Sequence, residues 1–209
     1  MSARLPGSFS PARLEALADG VFAIAITLLV LEIRLPETAE GAPGGLGHAL
    51  RAVWPSYLGY ALSFIMIGIM WVNHHTIFRL LERVDHTFTV LNLLLLLVIA
   101  FVPFPTRVLA EHLRDPRSQV AAAAFYSGTY TLIGIVFNLV WRYAAGGRRL
   151  LHSTVSDEMT KAITRRYMAG PTMYALATGL AFVSVALSIG VVIALAVLFL
   201  LPYRPPSAG

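Results

Sequence analysis

Apolar residues fall in long blocks separated by short polar stretches, with none of the strict alternation of a half-buried strand. The first block covers residues 13–33. Its uninterrupted apolar core, residues 20–31, is short for a membrane span, and Glu15, Asp19 and Glu32 lie around it. A cleaved signal segment would have a similar apolar length. Against that, Asp19 stands at the start of the core and no small-x-small cleavage site follows at once. The block reads as a retained helix carrying an intramembrane acid. Residues 35–48, with Pro36, Pro43, Gly44 and Gly45, read as a loop. Helices are expected over residues 53–78, 85–109 and 119–143, with Pro103 and Pro105 kinking or loosening the last turns of the second of these. Residues 111–117 form a polar connection. Residues 146–166 are the most polar stretch, and their conformation is left open. Residues 167–203 are too long for one span and short for two. They read as two helices meeting near residues 184–190.

Composition agrees with this pattern. Of 209 residues, 57% are hydrophobic and 13% charged, where soluble domains carry about 25% charged residues. A spanning helix takes about 20 residues to cross roughly 30 Å of hydrocarbon. Six spans with short loops would use nearly the whole chain, leaving no room for a soluble enzymatic domain. The expected fold class is therefore an all-α integral membrane protein of six transmembrane helices, one domain over residues 1–209, with cytoplasmic N and C termini. The basic residues fit that topology. Arg4, Arg13, Arg79, Arg83, Arg142, Arg148, Arg149, Lys161, Arg165, Arg166 and Arg204 fall inside, eleven in all, against five outside: Arg34, Arg51, Arg107, Arg114 and Arg117. Basic residues favour cytoplasmic loops. The net charge of +5 thus needs no nucleic-acid partner, and no basic residues interleave with aromatics in a binding pattern. Cysteine is absent, which excludes disulfides, cysteine nucleophiles and thiolate metal sites.

Ionisable groups inside spans cost about 2.5–3.5 kcal/mol on insertion scales, so each needs a reason. By the helical rise, Asp19 lies about 10 Å inside the cytoplasmic surface, Trp71, Asn73, His74 and His75 within roughly 6–12 Å of it, and Asn92 about 10 Å deep. Three helices thus place polar side chains in one layer, where Asp19, one histidine and Asn92 could form a hydrogen-bonded cluster. Such a cluster can simply lock helices together, or relay protons through a histidine. A metal site is disfavoured, because adjacent helical histidines point about 100° apart and no carboxylate lies one turn away. No Gly-rich phosphate loop, paired carboxylates or serine–histidine–acid set can be assembled. The chain is read as a non-enzyme without catalytic residues, metal or cofactor.

The stretch R-L-E-A-L-A-D-G from Arg13 to Gly20, and the apolar run after it to Glu32, resembles the first helix of the bacterial TMEM175 family of potassium channels, whose signature is R-x-x-x-F-S-D-G. The block W-V-N-H-H from Trp71 to His75, Asn92 in a leucine run, and P-F-P at Pro103 are similar to the same family. These motifs cover the first half of the chain; the second half agrees in helix count and the closing apolar pair. The resemblance implies a channel for potassium and other monovalent cations, multi-pass in a bacterial inner membrane, with membrane lipid around it. It implies a homotetramer whose first helices line the pore. Ile24, Leu28 and Leu31 match the family's apolar constriction, Thr27 its hydroxyl layer, and Arg13, Asp19, Gly20, Trp71, His74, His75 and Asn92 its signature and structural polar cluster. Leu17 and Ala18 stand where the family has phenylalanine and serine. Spacing alone puts Ile24, Leu28 and Leu31 on one helix face, but nearly all of residues 21–31 are apolar and a lipid-facing stripe would look the same. One six-helix copy cannot surround an axis with its own first helix, so a pore there needs a symmetric ring.

Two other functions fit the residues. A proton-coupled transporter would use Asp19 and the histidines, and would be expected to show repeats and broken helices flanking a midplane site; no internal repeat is visible and the polar layer lies off-centre. A non-transporting membrane scaffold is the third.

Overall fold

The computed structural model describes residues 10–35 and 45–200, with no account of the Leu200 side chain. Arg4, Pro36, Pro43, Gly44, Tyr203 and Arg204, used above in reading loops, span ends and charge bias, lie outside the described residues. The described residues are almost wholly helical. Helix α1 (Pro11–Leu28) starts at Ser10, whose hydroxyl accepts from the Arg13 amide, with Pro11 in the first turn where its missing N–H costs nothing. It tightens into a 3₁₀ turn over Leu29–Glu32. The 22 residues Pro11–Glu32 rise about 35 Å, from about 1.5 Å per α-helical and 2.0 Å per 3₁₀ residue. The block judged short from its apolar core is therefore long enough to span, because Arg13, Glu15 and Asp19 are carried within the helix.

A short helix, α2 (Gly45–Ala52), begins inside the stretch expected to be a loop. Gly45 turns the chain into it with φ +65°, a conformation glycine adopts freely. Helix α3 (Trp54–Leu80) follows. Next come α4 (His86–Phe101) and α5 (Pro103–His112), one apolar span divided at Val102. Pro103 cannot donate to the Ile99 carbonyl, and the Val102 amide takes that carbonyl instead at 3.1 Å. Helix α6 (Gln119–Ala145) leads through Gly146–Leu151 back against the end of α3. There Leu81 and Leu151 form an isolated β-bridge, and Glu82 N–H donates to Leu150 O at 2.9 Å.

Helix α7 (Asp157–Ala181) is capped by the Ser156 hydroxyl and carries Asp157 and Glu158 in its first turn, where carboxylates offset the helix dipole. The last ten residues of the polar stretch left open above thus belong to this helix. The break in the final apolar region falls at residues 182–184, before α8 (Val185–Leu200), slightly ahead of the expected position. Pro171 sits inside α7 and frees the Tyr167 carbonyl. Asn138 Nδ2 on α6 donates to that carbonyl at 2.6 Å, and Gly134 lies so close that an added Cβ would come within 3.1 Å of Pro171.

Among the described residues, four stretches can cross a membrane by length and hydropathy: Pro11–Glu32, Trp54–Leu80, His86–His112 and Gln119–Arg148. Helix α7 is long but charged in its first half, and α8 is apolar but only 16 residues. The chain packs α1 against α3 and α4, and α6 against α4, α5 and α7. Trp141, Tyr126, Tyr130, Phe22 and Phe88 fill the centre.

Candidate functional site

The end of the bundle where α1 begins, α3 ends and α4 begins holds the polar layer. On α1, Glu15 and Asp19 are one turn apart; on α3, Trp71 and His75 are as well, and the two helices run in opposite directions. The result is two rungs. Trp71 Nε1–H donates to Asp19 Oδ1 at 2.8 Å, and His75 Nδ1–H donates to Glu15 Oε1 at 2.8 Å. The Trp71 and His75 rings stack at 6.2 Å. Asp19, Trp71 and His75 all lie towards the outside of the chain.

His74, rotated about 100° from His75 around the helix axis, faces inward. His74 Nε2–H donates to Asn92 Oδ1 on α4 at 2.8 Å, with both side chains fully buried. Its ring packs between Phe22 at 5.4 Å and Phe78 at 4.5 Å. Among the described residues His74 Nδ1 and Asn92 Nδ2 have no hydrogen-bond partner. Of the expected cluster, the pairing of one histidine with Asn92 is present, whereas Asp19 stands apart from it, because Asp19 lies on the exposed side of α1 and takes Trp71 while His74 faces inward. Glu15 was missed as a partner. The matched i, i+4 spacing of Glu15/Asp19 and Trp71/His75 was the signal for it.

Along α1, one face is buried against α3 and α4: Leu14, Ala18, Phe22, Ala25 and Leu29. The opposite face carries Arg13, Leu17, Gly20, Ile24, Thr27, Leu28 and Leu31, all exposed. Ile24 is 60% exposed and Leu31 61%. The Thr27 hydroxyl donates to the Ile24 carbonyl at 2.9 Å. A Cβ added to Gly20 would meet nothing within 4 Å. Of the two positions that depart from the family signature, Ala18 lies in the buried face and Leu17 in the exposed one. In the 3₁₀ turn side chains three apart eclipse, so Leu31 stands almost directly beyond Leu28.

At the far end Glu32 approaches Arg107 at 4.0 Å, and Arg107 Nε–H donates to Glu111 at 2.7 Å. A second buried polar knot, which sequence reading missed, ties α3, α5 and α6: Ser63 lies 2.7 Å from Thr106 Oγ1 and 2.9 Å from Tyr126 Oη. Among the described residues no three His, Cys, Asp or Glu side chains converge as metal ligands.

The α1, α3 and α4 elements that build the polar layer are also where a family likeness is found. Residues 13–103 match the family described as endosomal/lysosomal potassium channel TMEM175. The likeness extends well into the second half. The chain is 48% identical over 196 residues, 94% of its length and 96% of the relative's, to a protein of Chamaesiphon minutus named a potassium channel. It is 48% identical over 85% of both chains to a protein of Streptomyces collinus, also named a potassium channel. Its structure superimposes with a TM-score of 0.82, over 90% of this chain and 95% of the other, on the crystal structure of a lysosomal potassium-selective channel TMEM175 homolog from Chamaesiphon minutus. This chain belongs to the TMEM175 family of ion channels, and is a multi-pass membrane protein rather than an enzyme.

Proposed function

We propose that the chain is one subunit of a homotetrameric, potassium-permeable cation channel of modest selectivity in the bacterial inner membrane. The single observation that carries the pore reading is α1. One of its faces is packed into the bundle, while the other, mostly apolar beyond Arg13 and with one hydroxyl, stays exposed among the described residues. Four copies related by a rotation axis would bring those faces together. Ile24, Leu28 and Leu31 would then ring the axis as an apolar constriction, with Thr27 contributing hydroxyls beside them. Such a constriction conducts when wetted and closes by dewetting. The open space beside Gly20 among the described residues suits close approach of another copy. The names of the Chamaesiphon and Streptomyces relatives support potassium as the permeant ion.

Residues 1–209 would form one domain with six spans, the four long ones together with α7 and α8. The 16 described residues of α8 rise about 24 Å. Both termini would face the cytoplasm. In this reading the two rungs from α1 to α3 hold the pore helix in place, and the His74–Asn92 pair ties α3 to α4 behind it. Native mass spectrometry from mild detergent tests the assembly. A dominant tetramer is expected, and a dominant monomer or dimer would overturn the ring.

A further inference from the structure

Helix α7 changes from charged to apolar within one turn. Residues 157–166 include Lys161, Arg165 and Arg166, whereas residues 167–181 carry no charge. In a membrane protein that boundary marks the headgroup level. It lies at the same end of the bundle as the α1–α3 rungs, since Tyr167 Oη–H donates to the Asn73 carbonyl at 3.3 Å. Lys161, Arg165 and Met168 follow at i, i+4 and i+7 and share one face. With Thr160 and Thr164 they line an open groove of about 360 Å³. Lys161, Arg165 and Met168 are exposed. From α6, Arg142 reaches the same place, its Nη2 lying 3.2 Å from Met168 Sδ.

The floor of the groove is fixed. Buried Trp141 donates through Nε1–H to Thr164 Oγ1 at 2.8 Å, and Thr164 donates to the Thr160 carbonyl at 2.8 Å. Among the described residues no carboxylate lines it. The nearest acids along the chain are Asp157, held by Arg148 at 3.0 Å, and Glu158, both closer to the start of the helix. Beyond Met168 the same face continues to exposed Leu176. The site is thus cationic at one end and apolar along its length.

We propose that this groove binds one anionic phospholipid of the leaflet at that end. The phosphate would lie among Lys161, Arg165 and Arg142, and an acyl chain would run past Met168 and Leu176. A free phosphate would leave the apolar part empty. A zwitterionic lipid would bring its own ammonium group against three cations. The proposal rests on membrane embedding and not on ion conduction.

Native mass spectrometry of the full chain with phosphatidylglycerol and phosphatidylcholine at equal concentration tests it. Preferential retention of one phosphatidylglycerol per chain is expected. The double variant Lys161→Gln/Arg165→Gln should lose about fivefold in affinity per cation removed, the equivalent of about 1 kcal/mol each. Its unfolding temperature in phosphatidylcholine should not change, since both side chains are exposed. Arg142→Gln, on another helix, should give a similar single loss. Equal retention of the two lipids, or a double variant that keeps its preference, overturns the proposal. So does displacement of the lipid by inorganic phosphate, which would make this a phosphate site. Potassium flux in pure phosphatidylcholine vesicles is a separate readout, so failure of the lipid site leaves the channel reading intact.

Discussion

Removing Asn92 while leaving His74 should harm the fold more than removing both. In Asn92→Leu the buried His74 Nε2–H loses the Asn92 oxygen that accepts from it, in a place sealed by Phe22 and Phe78. Leaving a buried donor unpaired costs about 1–3 kcal/mol, whereas hydrogen bonds between membrane helices average about 0.6 kcal/mol and reach about 1.7. A loss of about 2 kcal/mol is expected. The reverse variant, His74→Phe, keeps the ring stack but leaves the Asn92 amide with neither oxygen nor nitrogen paired, since Asn92 Nδ2 already lacks a partner among the described residues. It should lose about 3 kcal/mol, the upper end of that range. The double variant His74→Phe/Asn92→Leu places matched apolar groups in the same volume and should fall within about 1 kcal/mol of the parent. Reversible unfolding in mixed detergent micelles measures all three. A coupling of about −4 kcal/mol follows, the double change minus the two single ones. Additive losses would refute the reasoning, showing that His74 and Asn92 contribute through packing and not through their bond.

Two further outcomes follow from the packing. Asn138→Leu should strip the Tyr167 carbonyl of the partner that substitutes for Pro171 and lower stability by about 1–3 kcal/mol; Asn138→Leu with Pro171→Ala, which restores the helical donor, should recover part of the loss in the same unfolding assay. Ile24→Asn should fold like the parent, because the side chain is 60% exposed, and should raise basal conduction with weaker potassium preference as four amides wet the constriction; a variant that conducts like the parent would remove Ile24 from the pore.

The helical, multi-pass character was legible because lipid-facing segments carry their signal in hydropathy alone. The polar layer was legible too, since the helical rise sets the depths of Asp19, His74, His75 and Asn92. Partner choice was not. Depth is shared by all residues in a layer, whereas pairing depends on azimuth, and only the matched spacing of Glu15/Asp19 against Trp71/His75 carries that information. The division at Val102 followed from Pro103. The start of α7 was hidden because its first three turns lie outside the apolar stretch, and charged, exposed turns leave no hydropathy signal. Ser63, Thr106 and Tyr126 are single hydroxyls on separate helices, and nothing local to any of them announces the knot.

The most direct test of the channel reading is the reversal potential of purified protein in a planar bilayer of defined lipid, under opposed potassium and sodium gradients and equal pH. The expected result is a voltage-driven current without a proton gradient, reversing towards the potassium equilibrium potential. A folded protein that passes no current, or moves potassium only when a proton gradient is imposed, would contradict it.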